Sequence, residues 1–363
     1  MIRPAELRDL DALLDIEKRC FTTDRLSRRS FRHILTKGHG ATLVEEQDGI
    51  VRGYVMILFH AGTSLARIYS IAVDPAHRGT GIARQLVQAA EQAADQHECI
   101  VIRLETRVDN PDSIGLFQSM DYRQFGTYKD YYEDHTDALR FEKTLMPHLL
   151  PELQAVPYYR QTLDFTCGPA ALLMAMHALD DDIKLDRTLE LRLWRESTTI
   201  FMTSGHGGCG PYGMALAAWK RGFQVDVYIN DDSALFIDSV RSAEKKEVMR
   251  LVQEDFAQEL RQTDVGIHFR SLTLEAMKRE VDDGGVIIVL ISSYRIYKEK
   301  FPHWVVVNGF DERYIYVHDP FVDDDKGKVE MDCTNMPILQ VEFERMSRYG
   351  KSGLRAALIL KRR

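Results

Sequence analysis

Cysteine is scarce in this chain and odd in number: Cys20, Cys99, Cys167, Cys209 and Cys333 are scattered over 363 residues, with no C-x-x-C pair. That usage excludes a disulfide framework and fits a reduced compartment, so the cytoplasm is the expected location. No apolar run is long enough to span a bilayer, and the opening MIRPAELRDLDALLDIEK carries too many charges for a signal peptide. No membrane partner is expected. A basic excess is also missing: the formal net charge is -8, which argues against nucleic acid as a partner. There is no internal repeat and no low-complexity tract, so a solenoid or array is excluded.

What is present is ordinary globular material, 45% hydrophobic and 28% charged, in a length that suits two domains with separate cores. One local basic stretch departs from the average. Lys18, Arg19, Arg25, Arg28, Arg29, Arg32 and Lys37 face a single acid, Asp24. It reads either as a solvated helical face or as a contact for an acidic acceptor or a cofactor phosphate.

Residues 1–146 alternate helix and strand. Leu7, Leu10, Leu13, Leu14 and Ile16 fall on one helical face, and strands are expected at 41–45 and 53–59 around an Asp48-Gly49 turn. A third strand at 67–73 ends at Asp74-Pro75; a helix at 81–97, a strand at 100–106, a helix at 113–120 and a strand at 138–144 follow. Residues 147–157, rich in proline, read as a linker. The second domain, 158–363, is expected to carry helices at 167–179 and from Gly210 to Arg221. A strand at 224–229 and a charged helical stretch at 231–262 come next. Apolar runs at 286–292, 304–308, 314–318 and 353–360 suggest an antiparallel sheet.

Between the strand ending at Val73 and the helix after Gly81 lies DPAHRGTGIARQ, with Arg78, Gly81 and Ala83 in the spacing R-x-x-G-x-A. Glycine there lets backbone approach a phosphate, and the helix N-terminus offers unpaired N–H groups and a partial positive charge. A bare strand–helix connection is the alternative. This segment, with LETRVDNPDSIGLFQSMDYR and the tail YKDYYEDHTDALRFEKTL, resembles the GNAT acetyltransferases, most of all those acting on ribosomal-protein alanine. The resemblance implies an acetyl-CoA (or other acyl-CoA) site. Ile71, Ala72 and Val73 would meet the pantetheine, and Arg78, Gly79, Thr80, Gly81, Ile82 and Ala83 the pyrophosphate. Asn110 would contact the cofactor, and Glu105 falls at the position of the general base. A strand-end carboxylate paired with Arg103 or Arg107 is the plainer reading of Glu105. Phe117 stands where these relatives usually carry a tyrosine that protonates the leaving thiolate, and phenylalanine has no proton to give. Tyr128, Tyr131, Tyr132 or water would take over that step, or transfer is slow, or the domain only binds the acyl-CoA.

In the second half, QTLDFTCGPAALLMAMHAL sets Gln161 six residues before Cys167, itself at the start of an apolar helix. A helix N-terminus and a nearby imidazolium both favour a thiolate, and an amide donor receives the oxyanion. PHWVVVNGFDERYIYVHDP puts His303 at the head of one strand and Asp319 at the end of the next, joined by a turn at 311–313. A hairpin returns Asp319 to His303. This half resembles the papain-like peptidases that remove double-glycine leader peptides. The resemblance implies Cys167 as nucleophile, His303 as base, Asp319 as its orienter and Gln161 as oxyanion donor. The expected fold class is therefore α/β plus α+β, a GNAT mixed-sheet domain followed by a papain-like cysteine peptidase domain.

Other thiols and imidazoles read as secondary. Cys209 in TSGHGGCGPYG is a rival nucleophile, and His206 with Cys209 is too thin a set for zinc. His177, His268 and His318 read as structural, Cys20, Cys99 and Cys333 as buried or incidental, and Trp304 as packing over the His303–Asp319 pair. The expected function is bifunctional: N-acyl transfer to a peptide or protein amine, and hydrolysis of a peptide or other amide by a Cys–His–Asp triad. The alternative is a peptidase governed by a non-catalytic acyl-CoA sensor. By the same family-level resemblance, an ATP-grasp ligase is a possible partner.

Overall fold

The computed structural model describes residues 1–198, 207–231, 235–236 and 242–363. It divides into two compact units, Met1–His148 and Leu149–Arg363.

The first unit runs β1 (Ile2–Pro4), α1 (Leu10–Cys20), α2 (Arg28–Lys37), β2 (Gly40–Gln47), β3 (Ile50–Phe59), β4 (Leu65–Val73), α3 (Ile82–Gln96), β5 (Val101–Arg107), α4 (Pro111–Gln118), β6 (Arg123–Tyr128) and β7 (Ala138–Thr144). Its sheet has the order β1-β2-β3-β4-β5-β7-β6. Asp48 and Gly49, at φ 54° and 79°, make the tight turn between β2 and β3. Alternation along β3 sends Val55 and Ile57 into one core with Leu86, Val87 and Ala90 of α3. Tyr54 and Met56 enter the opposite core with Leu13 and Ile16 of α1 and Phe31 of α2. Helices therefore cover both faces of the sheet. The basic stretch spans the end of α1 and all of α2, where Arg28, Arg29, Arg32 and Lys37 are exposed, and Arg28 pairs with Asp11.

The parallel pair β4–β5 is short, with Leu65 opposite Val101 and Ile68 opposite Leu104. Beyond it β4 pairs only with β3, Ile71 facing Val55 and Val73 facing Gly53. The strands thus diverge, and residues 69–73 keep one backbone edge without a strand partner among the described residues.

The second unit runs β8 (Glu152–Leu153), α5 (Cys167–Leu179), α6 (Arg187–Ser197), α7 (Pro211–Trp219), β9 (Gln224–Ile229), α8 (Ala243–Leu260), β10 (Gly266–His268), α9 (Leu274–Asp282), β11 (Val286–Ser292), α10 (Tyr294–Tyr297), β12 (Pro302–Phe310), β13 (Tyr314–His318), α11 (Glu330–Cys333), β14 (Met336–Leu339), α12 (Gln340–Met346) and β15 (Ala356–Lys361). The sheet order is β10-β9-β15-β11-β12-β13-β14, with β8 added to β12. α5 is apolar around its whole circumference and is buried accordingly, between α7 and one sheet face that includes Ile288, Leu290 and Val306. The other face, with Ile287, Val289, Val305 and Val307, is covered by α9 and α12.

Two expectations need adjustment. Within the expected linker, Glu152 and Leu153 pair with Phe310 and Gly309, and Gln154 N donates to Asn308 O at 2.7 Å. Gly309 permits this approach, since a Cβ there would lie 2.0 Å from the Glu152 carbonyl. The charged stretch 231–262 becomes a helix only from Ala243, capped by Ser242, and part of it lies outside the described residues. Among the described residues no helix is long and apolar enough to cross a membrane.

Candidate active sites

In the first unit, Gly79 and Gly81 both adopt left-handed backbone, φ 76° and 84°, and nothing lies within 4 Å of a Cβ built on either. Gly81 is the N-cap of α3 and offers no side-chain acceptor, so the first-turn N–H groups of Ile82, Ala83 and Arg84 face the loop. An open backbone cradle at the start of a 15-residue helix suits a pyrophosphate. The adjoining edge at 71–73 suits the amides of a pantetheine arm. The Val73 carbonyl is already engaged, accepting from the Cys20 thiol at 3.2 Å and Arg78 Nε at 3.4 Å. Asn110 caps α4, its side-chain oxygen accepting from Ser113 N at 3.1 Å, which leaves its amide nitrogen for a ligand.

Arg103 goes to Glu142 and Arg107 to Asp109 and Asp134, while Glu105 Oε2 accepts from Arg67 Nε at 2.9 Å. The partner comes from β4, which runs parallel beside β5, so local spacing could not reveal it. Arg67 also donates to the Tyr131 hydroxyl at 3.1 Å, placing a phenol beside the carboxylate's partner. Phe117 is buried at 1% exposure, edge-to-face with Tyr122 at 5.2 Å.

In the second unit, Cys167 opens α5, half-buried, with Gly168 pressed between Met214, Cys209 and Trp304. His303 begins β12, and the antiparallel pairing of β12 with β13 sets Val306 opposite His318, which returns Asp319 to the His303 end. His303 Nε2 meets Asp319 Oδ1 at 2.6 Å, with exposures of 1% and 0%. The Cys167 thiol lies near enough to act on the imidazole's charge, and Nδ1 is the ring nitrogen that Asp319 does not engage.

The electrostatics favour charge separation here. Burial pushes the His303 imidazole down, but the Asp319 carboxylate and the adjoining thiol outweigh it and carry the value up to about 10. Burial pushes Asp319 up, and His303, Tyr297 and Lys328 reverse that, holding it below its ordinary value. Tyr297 donates to Asp319 Oδ2 at 2.6 Å, and Phe321 N donates to Oδ1 at 2.8 Å. Lys328 Nζ, buried and without a hydrogen-bond partner among the described residues, sits 4.6 Å over the Tyr297 ring. Tyr297 and Lys328 carry no motif and were not legible in the sequence.

Gln161 is buried at 6% exposure, its backbone N bonded to Pro320 O at 2.9 Å and its Nε2 to Leu163 O at 2.8 Å. One Nε2 hydrogen is thus committed and the other available. Trp304 does not cover the His303–Asp319 pair. The rings around His303 are Tyr297, Phe301 and Phe321, while Trp304 donates to Cys209 O at 3.1 Å. Neighbouring strand residues point to opposite faces, which is why the sequence reading misplaced it.

The remaining thiols are poorly suited to nucleophilic work. Burial raises Cys209, Cys20, Cys99 and Cys333 above the ordinary thiol value. His177 meets Ile183 O at 2.6 Å, His318 meets Val156 O at 3.0 Å and His268 meets Asp226 at 2.8 Å. His206 lies outside the described residues. Among the described residues no group of three potential metal ligands gathers.

Comparison with known proteins decides the family. The model of the Peptidase_C39 like family matches residues 156–361, more than half of the chain. The chain belongs to that family. The acetyltransferase (GNAT) family model matches residues 10–122, and the first unit is a GNAT acetyltransferase domain. It is 30% identical over 139 residues to a putative [ribosomal protein bS18]-alanine N-acetyltransferase of Bacillus subtilis, covering 38% of this chain and 91% of that protein. An N-alpha-acetyltransferase of Sulfolobus acidocaldarius is 31% identical over 148 residues, 38% of this chain and 88% of that one. The solved ribosomal-protein-S18-alanine N-acetyltransferase of Escherichia coli aligns with a TM-score of 0.37 at 22% identity, over 40% of this chain and 93% of its own. The fold class is thus a GNAT mixed-sheet unit followed by a C39-like unit.

Proposed function

We propose that this GNAT–C39-like chain is a bifunctional enzyme that acylates a peptide or protein amine and hydrolyses a peptide or related amide bond. The observation that carries the second activity is the buried His303–Asp319 pair beside a cysteine at a helix N-terminus. Cys167 attacks the carbonyl, its proton held by His303. The tetrahedral oxyanion is received by Gln161 Nε2 and the Cys167 N–H, and His303 returns the proton to the leaving amine. Water then attacks the thioester by the same route in reverse. Asp319, anchored by Tyr297 and Phe321 N, keeps the imidazole turned toward the thiol.

For the first activity, the Arg78 to Ala83 loop holds the pyrophosphate and the edge at 71–73 the pantetheine arm of acetyl-CoA, which supplies the acetyl group. Glu105 receives the amine proton, directly or through water, from a position fixed by Arg67. The relatives' names point to an α-amine of a protein as acceptor. Buried, hydroxyl-free Phe117 favours one further reading, in which the GNAT unit binds acyl-CoA without turnover and governs the peptidase.

The test is to incubate the full chain with acetyl-CoA and a mixed peptide library, and to read N-terminal acetylation and new termini by mass spectrometry. Acetylation lost in Glu105→Gln and cleavage lost in Cys167→Ala are the expected results. Cleavage that persists in Cys167→Ala, or tight acetyl-CoA binding with no acetylated product, would contradict the corresponding half.

A further inference from the structure

α6 buries a carboxylate that the reaction above does not use. Glu190 has 0% exposure. Its hydrogen bonds among the described residues come from Tyr159 Oη at 3.0 Å, Thr162 N at 2.9 Å and Thr162 Oγ1 at 2.6 Å. These donors belong to residues 159 and 162, which bracket Gln161. A fully buried carboxylate is costly unless its lone pairs are satisfied, so this arrangement ties the segment to α6 tightly. From the other side, Gln161 N is held by the Pro320 carbonyl at 2.9 Å, directly after Asp319. The Gln161 side chain is then aimed by its own bond to Leu163 O, whose carbonyl also receives the Thr166 hydroxyl at 2.8 Å.

We propose that Glu190 is a positioning residue for the oxyanion donor Gln161, fixing the 159–162 segment against α6 so that the amide faces the carbonyl attacked by Cys167. This rests on the reading of Cys167 as a nucleophile. An oxyanion donor acts only from a narrow range of positions, so a displacement of about 1 Å removes much of its effect. Among the described residues the Glu190 carboxylate is hydrogen-bonded to the Gln161 segment and not to Cys167 or His303. Loss of Glu190 should therefore separate two reactions of the same sulfur.

Two reagents make the separation measurable without a known substrate. Cys167 attacks p-nitrophenyl acetate at its carbonyl: the C–S bond forms through an oxyanion, the C–O bond to p-nitrophenolate breaks, and His303 holds the thiol proton. Iodoacetamide reacts by direct displacement of iodide and forms no oxyanion. Both rates are read at Cys167 by peptide mass spectrometry on the full chain. In Glu190→Gln, acylation is expected to fall about tenfold or more while alkylation stays within about twofold. Gln161→Ala should show the same signature, larger, on the order of 100-fold. Thr162→Val and Tyr159→Phe, each removing one hydroxyl donor, should shift the ratio in the same direction by less, and they carry the test if Glu190→Gln does not fold. A ratio unchanged in the folded variants, or both rates falling together, overturns the proposal. Wild-type Cys167 that acylates no faster than in His303→Ala would instead sink the nucleophile reading, and the positioning role with it.

Discussion

His303 Nε2 and Asp319 Oδ1 stand 2.6 Å apart at the open end of the β12–β13 hairpin, and neither side chain is exposed beyond 1%. Such a pair is costly to break from one side, because the remaining charge stays buried. Asp319→Ala should destabilise the C39-like unit by about 3–5 kcal/mol, and Asp319→Asn by less, since the amide still fills the site. Both should lose amide hydrolysis. Urea unfolding followed by near-UV circular dichroism separates the two effects.

The same pair makes stability depend on pH. The His303 value rises from 6.5 to about 10 on folding, so its stabilising contribution is whole below 6.5 and is lost as pH rises through about 10. Asp319 is shifted down from 3.8, so its contribution is present above 3.8 and is lost as pH falls through its lower folded value. The stability gap between the wild type and His303→Gln should therefore narrow between pH 6.5 and about 10. Urea midpoints measured across that interval check the sign. A gap that widens with pH would contradict the assignment.

The GNAT unit offers a separate pair of tests. Gly81→Ala places a side chain at φ 84°, costing about 1–2 kcal/mol in backbone strain, and fills part of the open cradle. Acetyl-CoA affinity by calorimetry should fall while Glu105→Gln binds normally.

Glu105→Gln leaves Arg67 buried beside a neutral amide. Thermal unfolding should show a loss of about 3–5 kcal/mol in the GNAT unit, partly recovered in the double variant with Arg67→Met. If Glu105→Gln were neutral for stability and for acetylation alike, neither its ion pair nor its role as base would stand.

Much of this architecture was legible in the sequence. The β4–loop–α3 segment carries its own turn glycines and helix period, α5 is apolar throughout, and the β12–β13 hairpin is written as two short apolar runs either side of a polar turn. What could not be read is what arrives from elsewhere in the chain. Arg67 reaches Glu105 across parallel strands, Tyr297 reaches Asp319 from the short helix α10, and Glu190 reaches the Gln161 segment from α6. None has a local spacing that announces its partner. Residues 152–153 were read as linker because proline dominates around them, whereas Gly309 opens a place for them on the sheet edge. Periodicity finds faces, and only packing finds which faces meet.

The central claim is that Cys167 is a nucleophile maintained by His303. Its most direct test is the pH dependence of iodoacetamide alkylation at each of the five cysteines, mapped by peptide mass spectrometry in wild type and His303→Ala. Cys167 should react fastest, keep reacting below about pH 7, and lose that advantage in the variant, while Cys20, Cys99, Cys209 and Cys333 stay slow. A Cys167 that reacts no faster than Cys20, with the same pH profile whether or not His303 is present, would contradict the account and leave acyl transfer as the chemistry of the chain.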